Sequence, residues 1–289
     1  MKLIGVNCHA SIACILLISS VSVGYAGTMG AAPVAPLDAY YIGVFGGGGA
    51  VMSGSVHQQG TALYPYGPGS GYIGNKGPLA VNAIGTFNSS SAWLVGGHVG
   101  YRWPARLSND MNSNWTFAPA TELEGYYIGG ANIYGDDLNN ATARLVEHDF
   151  HVTYPLQTGV VLANAVLNAN HSALGRFHPY VGVGVGLAVV SISGANSTQK
   201  SPPEPGINHY NSDPNDVGTT FAAQPKIGVS FDLSQHTSMF VEYRFLYLAA
   251  SNYTFGSTSY PTHVATTNWD VKIGSQYYNM GSVGFQFDL

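Results

Sequence analysis

The segment EHDFHVTYP, residues 147–155, contains residue types that could carry out chemistry. His148 and His151 could ligate a metal, and His151 with Thr153 could supply the base and nucleophile of a hydrolase. Residues three apart on a β-strand face opposite sides, so the two histidines are not expected to meet at one ion. His151 and Thr153 share a face, but threonine is a poorer match than serine and the spacing places no acid beside them. We therefore expect no catalytic residue, no metal and no cofactor, and hence no enzyme.

Other suggestive motifs have simpler explanations. The pair Asp136–Asp137 and the run NSDPND, residues 211–216, do not have the spacing of a calcium loop and are typical of turns. The run FGGGGA, residues 45–50, lacks the lysine and the following helix of a phosphate-binding loop. The chain has 10 basic and 15 acidic residues and no Lys/Arg block, so nucleic acid is not an expected partner.

The first 26 residues predict a signal peptide. Lys2 precedes a mostly apolar run from Ser11 to Val23, and small residues ending at Ala26 occupy the positions that a signal peptidase reads. We therefore expect Sec-type export with cleavage near Ala26, followed by a short periplasmic segment at 27–38. Cys8 and Cys14 are the chain's 2 cysteines, so the mature protein would contain no thiol.

The segment HPYVGVGVGLAVV, His178–Val190, alternates large apolar residues with glycine or alanine. It is too short for a helix that crosses a bilayer, which needs about 20 apolar residues. Strict period-two alternation predicts a strand with one face of large apolar residues and one face of small residues. A narrow barrel in lipid has this arrangement, with bulky residues outside and small or polar residues inside. Charged residues are only 9% of the chain, against about 25% in ordinary soluble domains, which agrees with this interpretation.

Several segments show the same alternation, and the connections between them alternate in length. Long connections rich in Gly, Pro, Ser and Asn alternate with short ones, as in barrels with long extracellular loops and short periplasmic turns. The sequence thus predicts an all-β fold, an eight-stranded antiparallel up-and-down transmembrane β-barrel over 39–289 with four long, exposed extracellular loops. The predicted strands are 39–50, 92–103, 115–128, 145–169, 178–193, 219–233, 236–253 and 269–289, and the predicted long loops are 51–91, 129–144, 194–218 and 254–268.

The fourth predicted strand changes its pattern along its length. Apolar positions are even at Phe150 and Val152 but odd from Val161 onwards. A one-residue slip near Pro155 or Gly159 would reconcile the two halves, because a bulge moves every later side chain to the other face. The alternative is an extracellular hairpin arm that does not contact lipid.

Three segments carry a resemblance to a known family: FHPYVGVGVGLA, FVEYRFLYL and the terminal GFQFDL. They resemble the eight-stranded outer-membrane β-barrel family that includes opacity-type proteins, bacterial surface antigens and the transmembrane domain of OmpA-like proteins. The resemblance implies a place in the cell outer membrane, in contact with lipid and lipopolysaccharide. It also implies that the barrel assembly machinery reads the last strand through Phe285, Phe287 and Leu289, where the family usually ends in Phe. No peptidoglycan-binding domain is expected after the barrel.

The alternation of side chains along the predicted strands places charged residues of both signs inside the barrel. With eight strands, side chains can fill the interior, so we expect a paired charge network that closes the lumen. The function expected is therefore that of a non-enzymatic surface antigen or adhesin, or an envelope-structural protein, with a host or matrix ligand at its loops. A small-solute porin and a lipid A-modifying enzyme are the alternatives. The predicted network is Arg102, Glu122, Glu124, Lys226, Asp232, Glu242 and Arg244; the same parity places Asp270, Lys272 and Asp288 inside and Trp269, Val271 and Ile273 outside.

Overall fold

A computed structural model of the chain describes residues 39–67, 77–104, 106–107, 115–142 and 145–289. The predicted signal peptide and residues 27–38 lie outside these ranges. The strands are β1 (Ala39–Val51), β2 (Gly54–Ala62), β3 (Leu79–Phe87), β4 (Ser90–Arg102), β5 (Arg106–Leu107), β6 (Trp115–Thr142), β7 (Leu145–His171), β8 (Phe177–Ile192), β9 (Asn196–Ser201), β10 (Asp216–Asp232), β11 (Thr237–Leu248), β12 (Ser251–Phe255), β13 (Trp269–Ile273) and β14 (Gln276–Asp288), with a 3-10 turn at Ser172–Leu174.

Eight of these strands form a closed ring. In spatial order they are β1, β4, β6, β7, β8, β10, β11 and β14, and every neighbouring pair is antiparallel. The ring closes because β14 also pairs with β1, from Tyr41 opposite Asp288 to Val51 opposite Tyr278. Closure leaves no free strand edge in the ring. The prediction of an all-β, eight-stranded antiparallel up-and-down barrel is confirmed.

The alternation in β8 places its two faces as the sequence predicts. Val181, Val183, Val185, Leu187 and Val189 are exposed on the outside of the ring. The glycines between them face neighbouring side chains: a Cβ at Gly182 would lie 3.0 Å from the Lys226 side chain, and one at Gly184 would overlap Asn164. The small residues therefore make room inside the ring for polar side chains of adjacent strands.

Much of the chain predicted as long loops forms strands instead. These strands are β2, β3, β9 and the adjoining half of β6; together with β12, β13 and the adjoining half of β7, which lie largely in predicted strands, we call them the upper tier. Its strands pair in the order β12-β13-β2-β3-β6-β7-β9. The interpretation of 51–91 as an exposed loop is wrong because buried residues alternate within it, at Val56 and Gln58 in β2 and at Val81 and Ala83 in β3. The glycines and serines around them suggested a loop, but the period-two pattern determines the structure.

β7 runs without a slip near Pro155 and Gly159, so the prediction of a bulge there is wrong. Its even positions are buried from Phe150 to Val166. Two of the three register shifts between β6 and β7 put the extra residue in β6, one of them at Gly130, whose φ of 78° suits glycine; the third puts it in β7 between Leu145 and His148, outside the predicted region. The lower part of β7 pairs with β8 in the ring, and its upper part pairs with β9 in the upper tier.

The faces predicted for β13 are also wrong. Trp269, Val271 and Ile273 point inward and are almost fully buried, whereas Asp270 and Lys272 point outward. The reason is a two-residue break at 274–275 between β13 and β14. Beyond the break Tyr277, Val283, Phe285 and Phe287 face outward as predicted.

Among the described residues, no helix has the length and apolar character needed to cross a membrane.

Truncation of the chain after Val283 is expected to prevent assembly of the barrel. The lost residues include Phe285, which pairs with Val44 of β1 on one side and with Met239 of β11 on the other. The pairing of β14 with both of its neighbours would therefore be shortened. We expect no folded band in outer-membrane fractions on a gel that separates folded from boiled protein. Leu289→Phe is the matched control and should assemble normally; folded truncated protein at normal yield would contradict the expectation.

Candidate functional site

The outside of the ring carries a belt of exposed apolar side chains between two rows of aromatic residues. Trp93 on β4 and Trp103 directly after β4 mark the two rows, and both are about half exposed. Ten residues on a strand tilted by about 40° span about 25 Å along the barrel axis, which is the height of the apolar band on membrane barrels. In the lower row, near the short connections, the aromatic side chains in contact are Tyr40–Tyr101, Tyr101–Trp103, Trp115–Phe117 and Phe177–Phe231. In the upper row, near the upper tier, they are Trp93–Tyr127 and Tyr247–Tyr277.

The inside of the ring holds a buried ion cluster centred on Lys226 and Arg244. The Lys226 Nζ lies 2.7 Å from Oε2 of Glu122, 3.1 Å from Oε2 of Glu124 and 3.5 Å from Oε2 of Glu242. The Arg244 guanidinium lies 2.5 Å from Oε1 of Glu124 and also contacts Glu242. All five side chains are nearly inaccessible to solvent. Three carboxylates thus share two cations.

Neutral groups on three further strands complete this cluster. Tyr41 donates a hydrogen bond to Glu122 at 2.9 Å, and Tyr180 donates to Glu242 at 3.1 Å. The Asn164 amide donates to Glu124 at 2.7 Å and to Glu122 at 3.3 Å. The Arg244 guanidinium also lies 4.2 Å from the centre of the Phe45 ring. Residues of β1, β6, β7, β8, β10 and β11, six of the eight ring strands, therefore take part in the cluster.

The remaining two residues of the predicted network lie elsewhere. Arg102 forms an ion pair of 3.2 Å with Asp288, and Asp232 lies 2.8 Å from Nε2 of His178. Both pairs lie at the end of the ring that carries the short connections. Between Arg102 and the central cluster is a cavity of about 30 Å³, which is large enough for ordered water.

His151 has an acidic neighbour that spacing did not reveal. Its Nδ1 lies 2.6 Å from Oδ1 of Asp136 on β6, and its Nε2 lies 3.4 Å from Oγ1 of Thr153. The expectation that no acid lies beside this pair is wrong, because the register of β6 against β7 brings Asp136 there. His151 and Lys200, whose Nζ is 3.2 Å away, hold the pKa of Asp136 below its usual value. The group lies on the outer face of the upper tier.

A second polar cluster, absent from the sequence-based predictions, lies inside the upper tier. Oε2 of Glu204 lies 3.4 Å from Nε2 of His209 and 3.3 Å from Nε2 of His263. The imidazoles of His209 and His263 lower the pKa of the Glu204 carboxyl to about 2, and Glu204 in turn raises the pKa of His263. Glu204 and His209 belong to the connection from β9 to β10, and His263 belongs to the connection from β12 to β13. The three residues are therefore not part of one local sequence motif that could have predicted the cluster.

No protein-family model and no curated protein sequence matches the chain. Among solved structures, the Neisserial surface protein A is similar at 12% identity, with a TM-score of 0.33 over 86% of this chain and 97% of that chain. The outer membrane protein OprG from Pseudomonas aeruginosa is similar at 10% identity, with a TM-score of 0.35 over 87% and 97%. The outer membrane protease OmpT from Escherichia coli is similar at 7% identity, with a TM-score of 0.38 over 86% and 97%. The fold described above therefore rests on the strand pairing of this chain itself.

Proposed function

We propose that this protein is a non-enzymatic outer-membrane barrel that spans the membrane with its ring and presents the upper tier at the cell surface. The observation that carries the proposal is a change in side-chain pattern along single strands. On β7, apolar residues face inward at Phe150 and Val152, whereas Val161 and Leu167 face outward. An outer face that is polar above and apolar below fits a strand that passes from water into lipid.

The interior supports a protein that does not conduct solutes. The ion cluster of Lys226, Arg244 and the three glutamates lies on three ring strands and is hydrogen-bonded to residues of three others, and opening it would separate buried charges. The role that remains for such a barrel is contact through its upper tier, as a surface antigen or adhesin, with a ligand on a host cell or in the extracellular matrix. Lipopolysaccharide is the expected neighbour of the belt, and the barrel assembly machinery the expected partner during insertion.

Shortening one hairpin of the upper tier tests this role. Ala62 of β2 pairs with Leu79 of β3, so residues 64–77 can be replaced by a short Asn-Gly turn without removing either strand. We expect cells that carry the shortened protein to lose binding to host cells or matrix, while the folded protein reaches the outer membrane in normal amounts. The matched control replaces Gln235, in the short turn between β10 and β11, by Gly.

Two results would refute the proposed role. Unchanged binding after each hairpin of the upper tier has been shortened in turn would exclude surface contact through the tier. Stable openings of the native protein in planar bilayers, as large as those of general porins, would show that the protein is a porin instead.

A hydrolase acting on the lipid of the outer leaflet is the second candidate, favoured by the group Asp136, His151 and Thr153. The imidazole bridges an acid and a hydroxyl, which is the order of groups in an activated nucleophile. Mass spectrometry of lipid A from cells that express the native protein or Thr153→Ala tests this candidate. Identical lipid A in both strains and in cells without the protein would exclude it.

A further inference from the structure

Three potential metal ligands converge inside the upper tier. They are the carboxylate of Glu204 and the Nε2 atoms of His209 and His263, and all three donor atoms lie within 4.8 Å of one another. His209 is almost completely buried, and its ring packs edge-on against Phe150 and Trp269, at centroid distances of 5.3 and 5.6 Å. The position of its imidazole is therefore fixed by packing and does not depend on Glu204.

The hydrogen bonds of the two imidazoles direct their lone pairs to the same point. Nδ1 of His209 lies 2.9 Å from the carbonyl oxygen of Ser197, and Nδ1 of His263 lies 2.6 Å from the carbonyl oxygen of Val264. A carbonyl oxygen only accepts hydrogen bonds, so each Nδ1 carries the proton and each neutral ring presents an unprotonated Nε2. A backbone carbonyl that orients the imidazole in this way is the usual outer shell of a histidine that ligates a metal.

Oε2 of Glu204 is an acceptor without a donor. It is shielded from solvent and accepts no hydrogen bond with acceptable geometry. With both rings in the tautomer that the carbonyls favour, three lone pairs face one another in a partly buried space. Such an arrangement needs a positive charge between the lone pairs, either a proton on one imidazole or a metal ion, because a charge shielded from water needs a partner.

Two of the three distances between donor atoms match those around a small transition-metal ion. Ligands about 2.0–2.1 Å from a tetrahedral zinc are about 3.4 Å apart. The two distances from Glu204 Oε2 to the imidazole nitrogens are 3.4 and 3.3 Å. A cavity of about 40 Å³ adjoins the cluster, which leaves room for a water as the fourth ligand.

From this geometry we infer that Glu204, His209 and His263 form a binding site for one divalent transition-metal ion, with Zn²⁺ as the representative ion. Two imidazoles and one carboxylate suit zinc and its neighbours in the first transition series and do not suit Ca²⁺ or Mg²⁺, which prefer oxygen ligands. The bound ion would join the connection between β9 and β10 to the connection between β12 and β13. It would thereby hold these two connections together.

The test uses the full mature chain, refolded in detergent and freed of metal with a chelator. Zn²⁺ is titrated by calorimetry, and Co²⁺ is titrated by absorption spectroscopy, because tetrahedral Co²⁺ absorbs far more strongly than octahedral Co²⁺. The variants are Glu204→Gln and His263→Gln, which keep the size of each side chain. His236→Gln, in the exposed turn between β10 and β11, is the matched control. The gel shift between folded and boiled protein verifies that each variant is folded.

We expect one Zn²⁺ per chain, a tetrahedral Co²⁺ spectrum, and affinity at least tenfold weaker in Glu204→Gln and His263→Gln but unchanged in His236→Gln. Mg²⁺ and Ca²⁺ should not compete. The inference is overturned if the native protein binds no stoichiometric Zn²⁺, if its Co²⁺ spectrum is octahedral, or if folded Glu204→Gln and His263→Gln bind as tightly as the native protein. The Co²⁺ spectrum of the native protein decides the question even if a variant does not fold.

Discussion

Replacement of Arg244 by methionine is expected to lower the free energy of unfolding by about 3–5 kcal/mol, the usual cost of removing one partner from a buried ion pair. The guanidinium contacts Glu124 and Glu242 and packs on the Phe45 ring, all away from solvent. Without it, three buried carboxylates would share the single ammonium of Lys226. Unfolding in urea, followed by tryptophan fluorescence in lipid vesicles, measures the change.

Glu242→Gln is the matched control for this prediction. The cluster holds three carboxylates and two cations, so removal of one carboxylate balances its charge, and the glutamine oxygen can still accept the hydrogen bond from Tyr180. We expect Glu242→Gln to cost clearly less than Arg244→Met. Equal costs, or a cost of Arg244→Met near zero, would mean that the charges do not stabilise the barrel.

Val185→Arg is expected to cost about 2–4 kcal/mol, the range for a basic residue at the middle of the lipid-facing surface of a barrel. Val185 is the central one of five outward apolar side chains on β8, from Val181 to Val189, and is 57% exposed. In lipid the new guanidinium would lose its hydration. The same urea titration in vesicles measures the effect.

Gln59→Arg is the control for lipid contact. Gln59 is exposed on the outer face of the upper tier, and its partner across the strand pair is Asp270, so an arginine there should be nearly neutral. A substitution at Gly184 is a poor control because a Cβ there would overlap Asn164, which is hydrogen-bonded to the ion cluster. Equal costs of Val185→Arg and Gln59→Arg would contradict the assignment of the belt to lipid.

The ring could be predicted from sequence because its surroundings impose one simple rule. Where the outside is apolar and the inside is narrow, large apolar residues alternate with small or polar ones, as in β8. The same rule failed in the upper tier, where the interior is the apolar side. The prediction of a bulge in β7 assumes that the apolar side is the same along the whole strand, whereas it changes from the inside to the outside. The prediction that Trp269, Val271 and Ile273 lie outside makes the same assumption and also misses the break at 274–275, which interrupts the alternation between β13 and β14.

The sites were predictable only to the extent that parity determines them. The alternation of side chains along each strand predicts that five charged residues lie inside: Glu122, Glu124, Lys226, Glu242 and Arg244. It does not give the register between strands, so it cannot predict which of these residues form ion pairs. Register alone decides that Lys226 lies opposite Gly182 and beside Arg244, and that Asp136 reaches His151. The cluster of Glu204, His209 and His263 joins two irregular connections, so no periodicity could have revealed it.

The most direct test of the proposed arrangement in the membrane is the labelling of single cysteines in intact cells. With cleavage near Ala26, the mature chain contains no cysteine, so each introduced thiol reports on its own position. Asn252→Cys lies on the exposed face of the upper tier, and Gln235→Cys lies in the short turn at the other end of the ring. With a membrane-impermeant maleimide, Asn252→Cys should react in intact cells and Gln235→Cys only after the outer membrane is permeabilised. Labelling of Gln235→Cys in intact cells, or protection of Asn252→Cys until permeabilisation, would contradict the account.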